Sequence, residues 1–226
     1  MSENLLVIYH ALPYFLGGAI VTMEIVVGGL AIGLIVGIPL SIGEVYGNKY
    51  VANLISAYVA FFRGIPFLVL LFLFYLGIFP SIGLVMNALA ASILIIGLRD
   101  AAYQSQIFRG SIKSLGEGQM LAALSLGMTK FQAIWNIILP QALRISLPGW
   151  ANLYSIMLKN SAVCYTIGVM ELLTRASFVS SRTFKPMPIY FSCAVIYLVL
   201  TYGGMKIIAL LENKVKIPGY QERSEI

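Results

Sequence analysis

Five stretches of this chain, at about residues 17–42, 53–78, 82–107, 146–168 and 188–210, are predominantly apolar over more than 20 consecutive positions. Crossing the hydrocarbon core of a bilayer takes roughly 20 such residues at ~1.5 Å of helix per residue, and each stretch has that length. Composition agrees with the segment lengths. Of 226 residues 59% are apolar and only 11% are charged, and the mean hydropathy of +0.89 lies well above that of a soluble domain with a wet surface. The expected fold is all-α, a polytopic membrane helical bundle of about five transmembrane helices, with residues 1–226 forming one transmembrane domain.

The basic residues then orient the bundle, because short cytoplasmic connections carry an excess of Lys and Arg. One set comprises Lys49, Arg109, Lys113, Lys130, Arg144, Lys206, Lys214, Lys216 and Arg223; the opposite set is Arg175, Arg182 and Lys185. Nine against three places the N-terminus outside and the C-terminus in the cytoplasm, which fits an odd number of spans. The net charge of +6 therefore reads as an orientation signal rather than a nucleic-acid surface. Met1-Ser2-Glu3-Asn4 lacks the basic start of a cleaved leader. Residues 1–16 are expected to remain and to form a short amphipathic helix in the outer interface, through Leu5, Leu6, Ile8, Tyr9, Leu12 and Phe15.

Several chemistries are disfavoured by what the chain does not contain. Cys164 and Cys193 both fall in or near apolar spans and read as packing residues, and with a single histidine, His10, no Cys/His metal site can be assembled. There is no phosphate-binding Gly-x-x-x-x-Gly-Lys-Ser/Thr loop, so no cofactor is expected in this chain and any ATP and Mg would be held by partner subunits. Neither a Gly-x-Ser-x-Gly nucleophile turn nor a His-Glu-x-x-His metal helix is present, so the chain is not expected to be an enzyme.

The polar residues inside the spans are the candidates for a solute pathway. Arg99 and Asp100 interrupt the third span, where charges are costly in lipid and face the bundle interior, a partner or a water-filled path. Neighbouring helical residues point about 100° apart, so these two need not pair. Asp100 and Gln104, one turn apart, can form a polar stripe that either locks helices together or lines the pathway. Lys159, Asn160 and Ser161 lie in a row between apolar neighbours in the fourth span. Lys159 needs a counter-charge, which Asp100 or a bound carboxylate would supply. Elsewhere the plain reading is packing: Gly29, Gly33 and Gly37 share one helical face and admit a close neighbour, Arg63 before Ile65-Pro66 reads as a snorkelling side chain, and Glu24 as an interfacial carboxylate.

The one long polar segment, about residues 109–147, separates the third and fourth spans. It is rich in small residues, and a chain that is otherwise in lipid is expected to use it as a docking surface for a separate motor subunit. Its sequence Glu117-Gly118-Gln119-Met120-Leu121-Ala122-Ala123-Leu124-Ser125-Leu126-Gly127-Met128-Thr129, followed by Ile138-Leu139-Pro140-Gln141-Ala142-Leu143-Arg144, resembles the EAA loop of permease subunits in bacterial ABC importers. The family pattern is Glu-Ala-Ala, three residues, Gly, a nine-residue gap and a hydrophobic residue before Leu-Pro. Ala122, Ala123, Gly127, Ile137 or Ile138, Leu139 and Pro140 match it. Leu121 stands at the glutamate position, so Glu117 or backbone groups would have to substitute for that contact.

The resemblance covers nearly the whole chain and is closest to the polar amino acid permeases. It is carried by Leu12-Pro13, Val21-Thr22, Arg63-Gly64-Ile65-Pro66, Ala102-Tyr103 with Arg109-Gly110, and Leu158-Lys159-Asn160-Ser161 with Ile167-Gly168-Val169-Met170-Glu171-Leu172-Leu173. Two departures bear on the solute: Gln106 stands where the family often has glutamate, and Arg99-Asp100 where small or neutral polar residues are usual. The resemblance implies an ABC importer permease-like fold in a bacterial inner membrane. It implies a permease subunit for polar or charged amino acids that forms the translocation pathway and couples to two cytoplasmic ATP-binding subunits. A second permease subunit, identical or similar, and an extracytoplasmic solute-binding protein complete the expected assembly. The loop residues implicated are Glu117, Gln119, Leu121, Ala122, Ala123, Gly127 and Pro140. The alternative reading is a secondary carrier or channel for small polar solutes, with Arg99, Asp100 and Lys159 as an ion-coupling cluster.

Overall fold

The computed structural model describes residues 3–215, and every regular element among them is helical. Met1 and Ser2 of the N-terminal sequence, and Lys216 and Arg223 of the basic set, lie outside the described residues. Helices satisfy their backbone groups internally, which is the requirement that lipid places on a spanning segment.

The first helix, α1 (Glu3–Tyr46), has 44 residues and is ~66 Å long, about twice the ~30 Å hydrocarbon core. The short amphipathic helix expected at the start is not a separate element; Leu5 to Phe15 are its first turns. Continuity there has a packing cause. Ala11 and Phe15 are buried against Leu172, Ala176, Ile189 and Cys193 from later helices, so this end is pulled onto the bundle rather than laid along its surface. Pro13 and Pro39 are both accommodated inside the helix, and the chain turns only at Gly47-Asn48.

Asn48 caps α2 (Lys49–Gly64) by accepting a hydrogen bond from Val51 N at 2.9 Å. The expected second span then breaks in two. Ile65 is extended, as a residue preceding proline prefers, and the chain bends by 106° into α3 (Phe67–Phe72), which continues through a π-helical stretch, Leu73–Ile78, into α4 (Phe79–Ser81). The third stretch starts later than its apolar composition indicates. Residues 82–87 form a connection, and Asn87 caps α5 (Ala88–Ser114) through Ala90 N.

Beyond α5 come α6 (Gly118–Ser125), α7 (Lys130–Ala133), a π-helical stretch Ile134–Ile138, α8 (Leu139–Ile145) and α9 (Leu147–Ser161). The 3₁₀ turn Ala162–Ile167 and the left-handed Gly168 end that run, and after a 56° bend the chain enters α10 (Leu172–Thr183) and finally α11 (Pro186–Val215). Two helices, α1 and α11, are singly long and apolar enough to cross a membrane, and up to four spans result if each bent pair counts as one. The remaining expected span is α5, whose 27 residues give ~40 Å but include Arg99, Asp100, Arg109 and Lys113.

A parallel seam between α1 and α5 forms the centre of the bundle. Gly28, Gly29, Gly33 and Gly37 bring the α1 backbone against Ile93, Ile96, Ala101, Gln104 and Ser105, and Gly97 of α5 receives Ile32 in return. Any side chain larger than hydrogen at these α1 positions crowds α5. Met157 and Leu158 of α9 close the seam over Ile25 and Val26 of α1 and Ile95 and Ile96 of α5, all six with no exposed surface. At one end α10 is bound back to α1: Leu172 N donates to Thr22 Oγ1 at 3.2 Å, and Arg175 Nη1 donates to Tyr14 O at 3.1 Å.

Candidate functional site

Gln104 sits inside the three-helix junction and has no exposed surface. Its Nε2 donates to Leu30 O at 3.2 Å and its Oε1 accepts from Trp150 Nε1 at 2.9 Å, so one side chain bridges α1, α5 and α9. Both halves of the amide are used. The polar stripe expected between Asp100 and Gln104 exists as a buried face, but the two side chains do not bond to each other.

Asp100 instead meets its neighbour. Arg99 Nη1 lies 3.2 Å from Asp100 Oδ1, so the adjacent pair that helical geometry left free to diverge does close, the long arginine side chain curling back over the helix. The guanidinium of Arg99 lies over the rings of Tyr103 and Phe67, at 4.7 and 5.5 Å, and Nη2 donates to Tyr103 Oη at 3.4 Å. Arg63, at the end of α2, sits 5.0 Å from the same Tyr103 ring. It is exposed and stacked, rather than only snorkelling. A tyrosine is thus flanked by two guanidinium groups, an arrangement that the ring's negative faces stabilise. Asp100 Oδ2 and Arg99 Nε are buried with no hydrogen-bond partner. Such a pair is costly to leave incomplete, and it presents one free acceptor and one free donor.

Lys159, Asn160 and Ser161 close α9, where the helix tightens before the left-handed Gly168. Ser161 is buried and its hydroxyl donates to Leu158 O at 2.7 Å, which turns it toward its own helix. Asn160 is half-buried and Lys159 is exposed. Neither side chain makes a hydrogen bond or ion pair with the described residues. Of the two counter-charges considered for Lys159, Asp100 does not supply one, being engaged by Arg99.

Two polar residues that the sequence does not single out, Glu171 and Tyr103, help hold this region in place. Glu171 caps α10, accepting from Leu173 N, Thr174 N and Thr174 Oγ1, and it also accepts from Tyr197 Oη at 2.7 Å, joining α10 to α11 with no exposed surface. The signal available was a carboxylate directly before a helix with threonine three positions on. Tyr103 was visible only as part of a motif, and nothing in the sequence put it between two arginines.

The segment between α5 and α9 is almost entirely helical. α5 runs on to Ser114, so the loop proper begins at Leu115. Ile112, Ile138 and Ala142 form a small core beneath it, with Ile42, Tyr46 and Met120 around them. Lys130 Nζ donates to Tyr46 O at 3.1 Å and lies 5.4 Å from the Tyr46 ring. Close by, Glu44 accepts from Gln106 Nε2 at 2.7 Å and stands 3.3 Å from Arg109 Nε as an ion pair without hydrogen-bond geometry. Gln106, at a position where a glutamate would oppose Glu44, supplies a donor instead.

Within the segment α6 ends at Ser125 and is closed off at Gly127, whose φ of +82° suits glycine and allows Met128 N to reach back to Ala123 O. Thr129 and Gln132 form a capping box on α7, and Pro140 stands in the first turn of α8. The two alanines differ: Ala123 is buried under the helix and Ala122 is exposed. Glu117 and Gln119 are exposed, and Glu117 makes no side-chain cap. The outer surface is apolar, with Leu121 60% and Leu126 83% exposed and Leu124 beside them. Leu121, at the position where the resemblance has a glutamate, is one of these exposed leucines.

Comparisons with known proteins agree with this geometry. Residues 29–217 match the family described as binding-protein-dependent transport system inner membrane component. The chain is 40% identical over 198 residues to the probable amino-acid permease protein YxeN of Bacillus subtilis (strain 168), covering 85% of this chain and 84% of that one. It is 33% identical over 199 residues to the histidine/lysine/arginine/ornithine transport system permease protein HisM of Escherichia coli (strain K12), covering 84% and 83%. A crystal structure of an amino acid ABC transporter with histidines superimposes with a TM-score of 0.83 at 31% identity, over 95% of this chain and all of that chain. An inward-facing structure of the MetNI methionine ABC transporter gives 0.75 over 96% of this chain and all of that chain; at 19% identity it shows the shared fold.

Proposed function

The chain belongs to the family of binding-protein-dependent transport system inner membrane components, and from that premise we propose that it forms the solute pathway of an ATP-driven importer for polar or charged amino acids. It is a membrane permease subunit of the amino-acid ABC transporter type. The assembly we propose contains a second permease subunit, identical or similar, two ATP-binding subunits that carry ATP and Mg, and a solute-binding protein on the opposite side. The excess of Lys and Arg on one side of the bundle, nine against three, with Arg109 and Lys113 at the end of α5 and Lys130 and Arg144 beyond it, supports a cytoplasmic location for the α5–α9 connection in a bacterial inner membrane.

One observation carries the coupling role. A helix presenting Leu121, Leu124 and Leu126 outward is braced from behind by Lys130 on Tyr46 and by Glu44 between Gln106 and Arg109. A partner that seats on α6 therefore pushes on α1 and α5 together, without slack in the connection. Movement of that pair reaches α9 through Gln104 and Trp150. For the solute, Lys159 offers a free ammonium for a carboxylate. The Arg63–Tyr103–Arg99 stack with Asp100 offers further charge of both signs; Ser161 and Gln104 hold the backbone around it. Extraction in a mild detergent with mass spectrometry of co-purifying chains tests the assembly. Recovery of a P-loop ATPase that, when reconstituted with this chain, supports ATP-dependent amino acid uptake is the expected result. Uptake by the chain alone, driven by an ion gradient, overturns it in favour of a secondary carrier.

A further inference from the structure

At the end of the bundle remote from α6, the first turns of α1 and the last turns of α10 enclose an open trough of about 630 Å³. Its walls are apolar, with Leu6, Val7, Ala11 and Phe178 among them, and His10 and Arg182 stand in its lining. Both are exposed, and Arg182 makes no hydrogen bond or ion pair with the described residues. Along α1 the lining runs from Leu6 to Tyr14, which is ~12 Å of helix, the length of an extended acyl segment of about nine carbons at ~1.3 Å per carbon. A trough with a hydrocarbon floor and an unpaired cation is complementary to an amphiphile with an anionic head and an aliphatic tail. A free amino acid would leave the floor unfilled. Tyr9 and Tyr14 expose part of their rings at this end of the bundle, and tyrosine is enriched where a protein meets the headgroup layer.

We infer that this trough binds an anionic phospholipid, its tail against α1 and α10 and its phosphate against Arg182 with His10 alongside. The site is separate from the Lys159 region and rests only on the chain being membrane-embedded. Arginine suits the position, since its stem lies on apolar surface while its head reaches the interface.

The test uses the full-length protein in nanodiscs of phosphatidylcholine with phosphatidylglycerol titrated in, and counts retained phosphatidylglycerol after exchange into mild detergent by native mass spectrometry. Arg182→Gln is expected to lower retention about fivefold, the factor set by one basic side chain at the headgroup surface, and Arg182→Lys to restore most of it. Ala11→Phe, which fills the floor, is expected to lower retention of any lipid tail. Phe178→Cys carrying a photo-crosslinker should label lipid, because Cys164 and Cys193 are buried and leave the introduced thiol as the site of attachment. Retention in Arg182→Gln equal to the parent overturns the headgroup assignment. Cross-linking of position 178 to a second permease chain or to a solute-binding protein overturns the lipid.

Discussion

Gly33→Ala tests the idea that the α1–α5 seam is held closed by a single buried amide. A Cβ at position 33 overlaps the Nε2 and Cδ of Gln104 and approaches Ala101 N within 3.4 Å. Gln104 cannot swing aside freely, because it is fully buried and bonded to both Leu30 and Trp150. Displacing it loses two hydrogen bonds at ~0.6–1 kcal/mol each inside a membrane protein. Overpacking of the seam adds ~1–3 kcal/mol, while alanine in place of glycine returns up to ~1 kcal/mol of helix preference. The net loss is ~1–5 kcal/mol. It would be measured by unfolding in mixed micelles of increasing SDS fraction, following tryptophan emission, since Trp150 loses its indole hydrogen bond when Gln104 moves. Adding Gln104→Ala should relieve the overlap, leaving the double variant no less stable than Gln104→Ala alone. Gly203→Ala in α11, whose Cβ meets nothing within 4 Å, should be neutral or stabilising by up to ~1 kcal/mol. A Gly33→Ala protein within ~0.5 kcal/mol of the parent, or a double variant that shows no relief, would refute the reasoning.

Other substitutions separate the parts of the molecule. Lys159→Ala should reduce amino acid uptake tenfold or more, about 1.4 kcal/mol of transition-state binding, while leaving ATPase co-purification unchanged; normal uptake removes Lys159 from the pathway. Gly127→Val forces a β-branched residue to a φ of +82° at ~1–3 kcal/mol, and should abolish ATPase binding without lowering the yield of folded permease; an intact complex would deny α6 its docking role. Glu171→Ala removes the acceptor for two backbone N–H groups, Thr174 and Tyr197; a loss of ~2–4 kcal/mol is expected in the same SDS titration, with earlier deuterium exchange in α10. Unchanged exchange in α10 would show that the network is dispensable.

The helical membrane fold was legible because apolar length alone restricts what a segment can become, and the order of the spans followed directly. Breaks within spans were harder to see. Ile65-Pro66 was recognisable as an irregular start, but a bend of 106° is set by how Phe67, Leu70 and Leu71 pack into the core, and composition does not carry that information. The start of α1 departs from its sequence pattern for a similar reason: Leu5 to Phe15 have interfacial amphipathicity, yet burial of Ala11 and Phe15 on α10 and α11 outweighs it. In the candidate site, Gly127 was readable from glycine's freedom at positive φ. Of the two counter-charges open to Lys159, Asp100 or a bound carboxylate, the pairing of Asp100 with Arg99 removes the first; this was not readable, because it depends on where α9 places an exposed lysine relative to a buried aspartate. Glu171 showed the converse case, a role carried by local capping geometry in a residue that looked like one member of a motif.

The length of α1 gives the bracing at its two ends a mechanical meaning. It is clamped to the coupling segment at Tyr46, to the end of α5 at Glu44 and to α10 at Tyr14 and Thr22, and along the middle it is zipped to α5. A beam so held cannot stretch, since each residue is fixed at ~1.5 Å of rise, so it answers a push at one end by tilting. For a rod of ~66 Å pivoting near its centre, a rotation of about 5° carries each tip ~3 Å in opposite directions. A displacement smaller than one helical turn at α6 would thus arrive, reversed in sign, at the far face of the bundle where α10 and α11 meet.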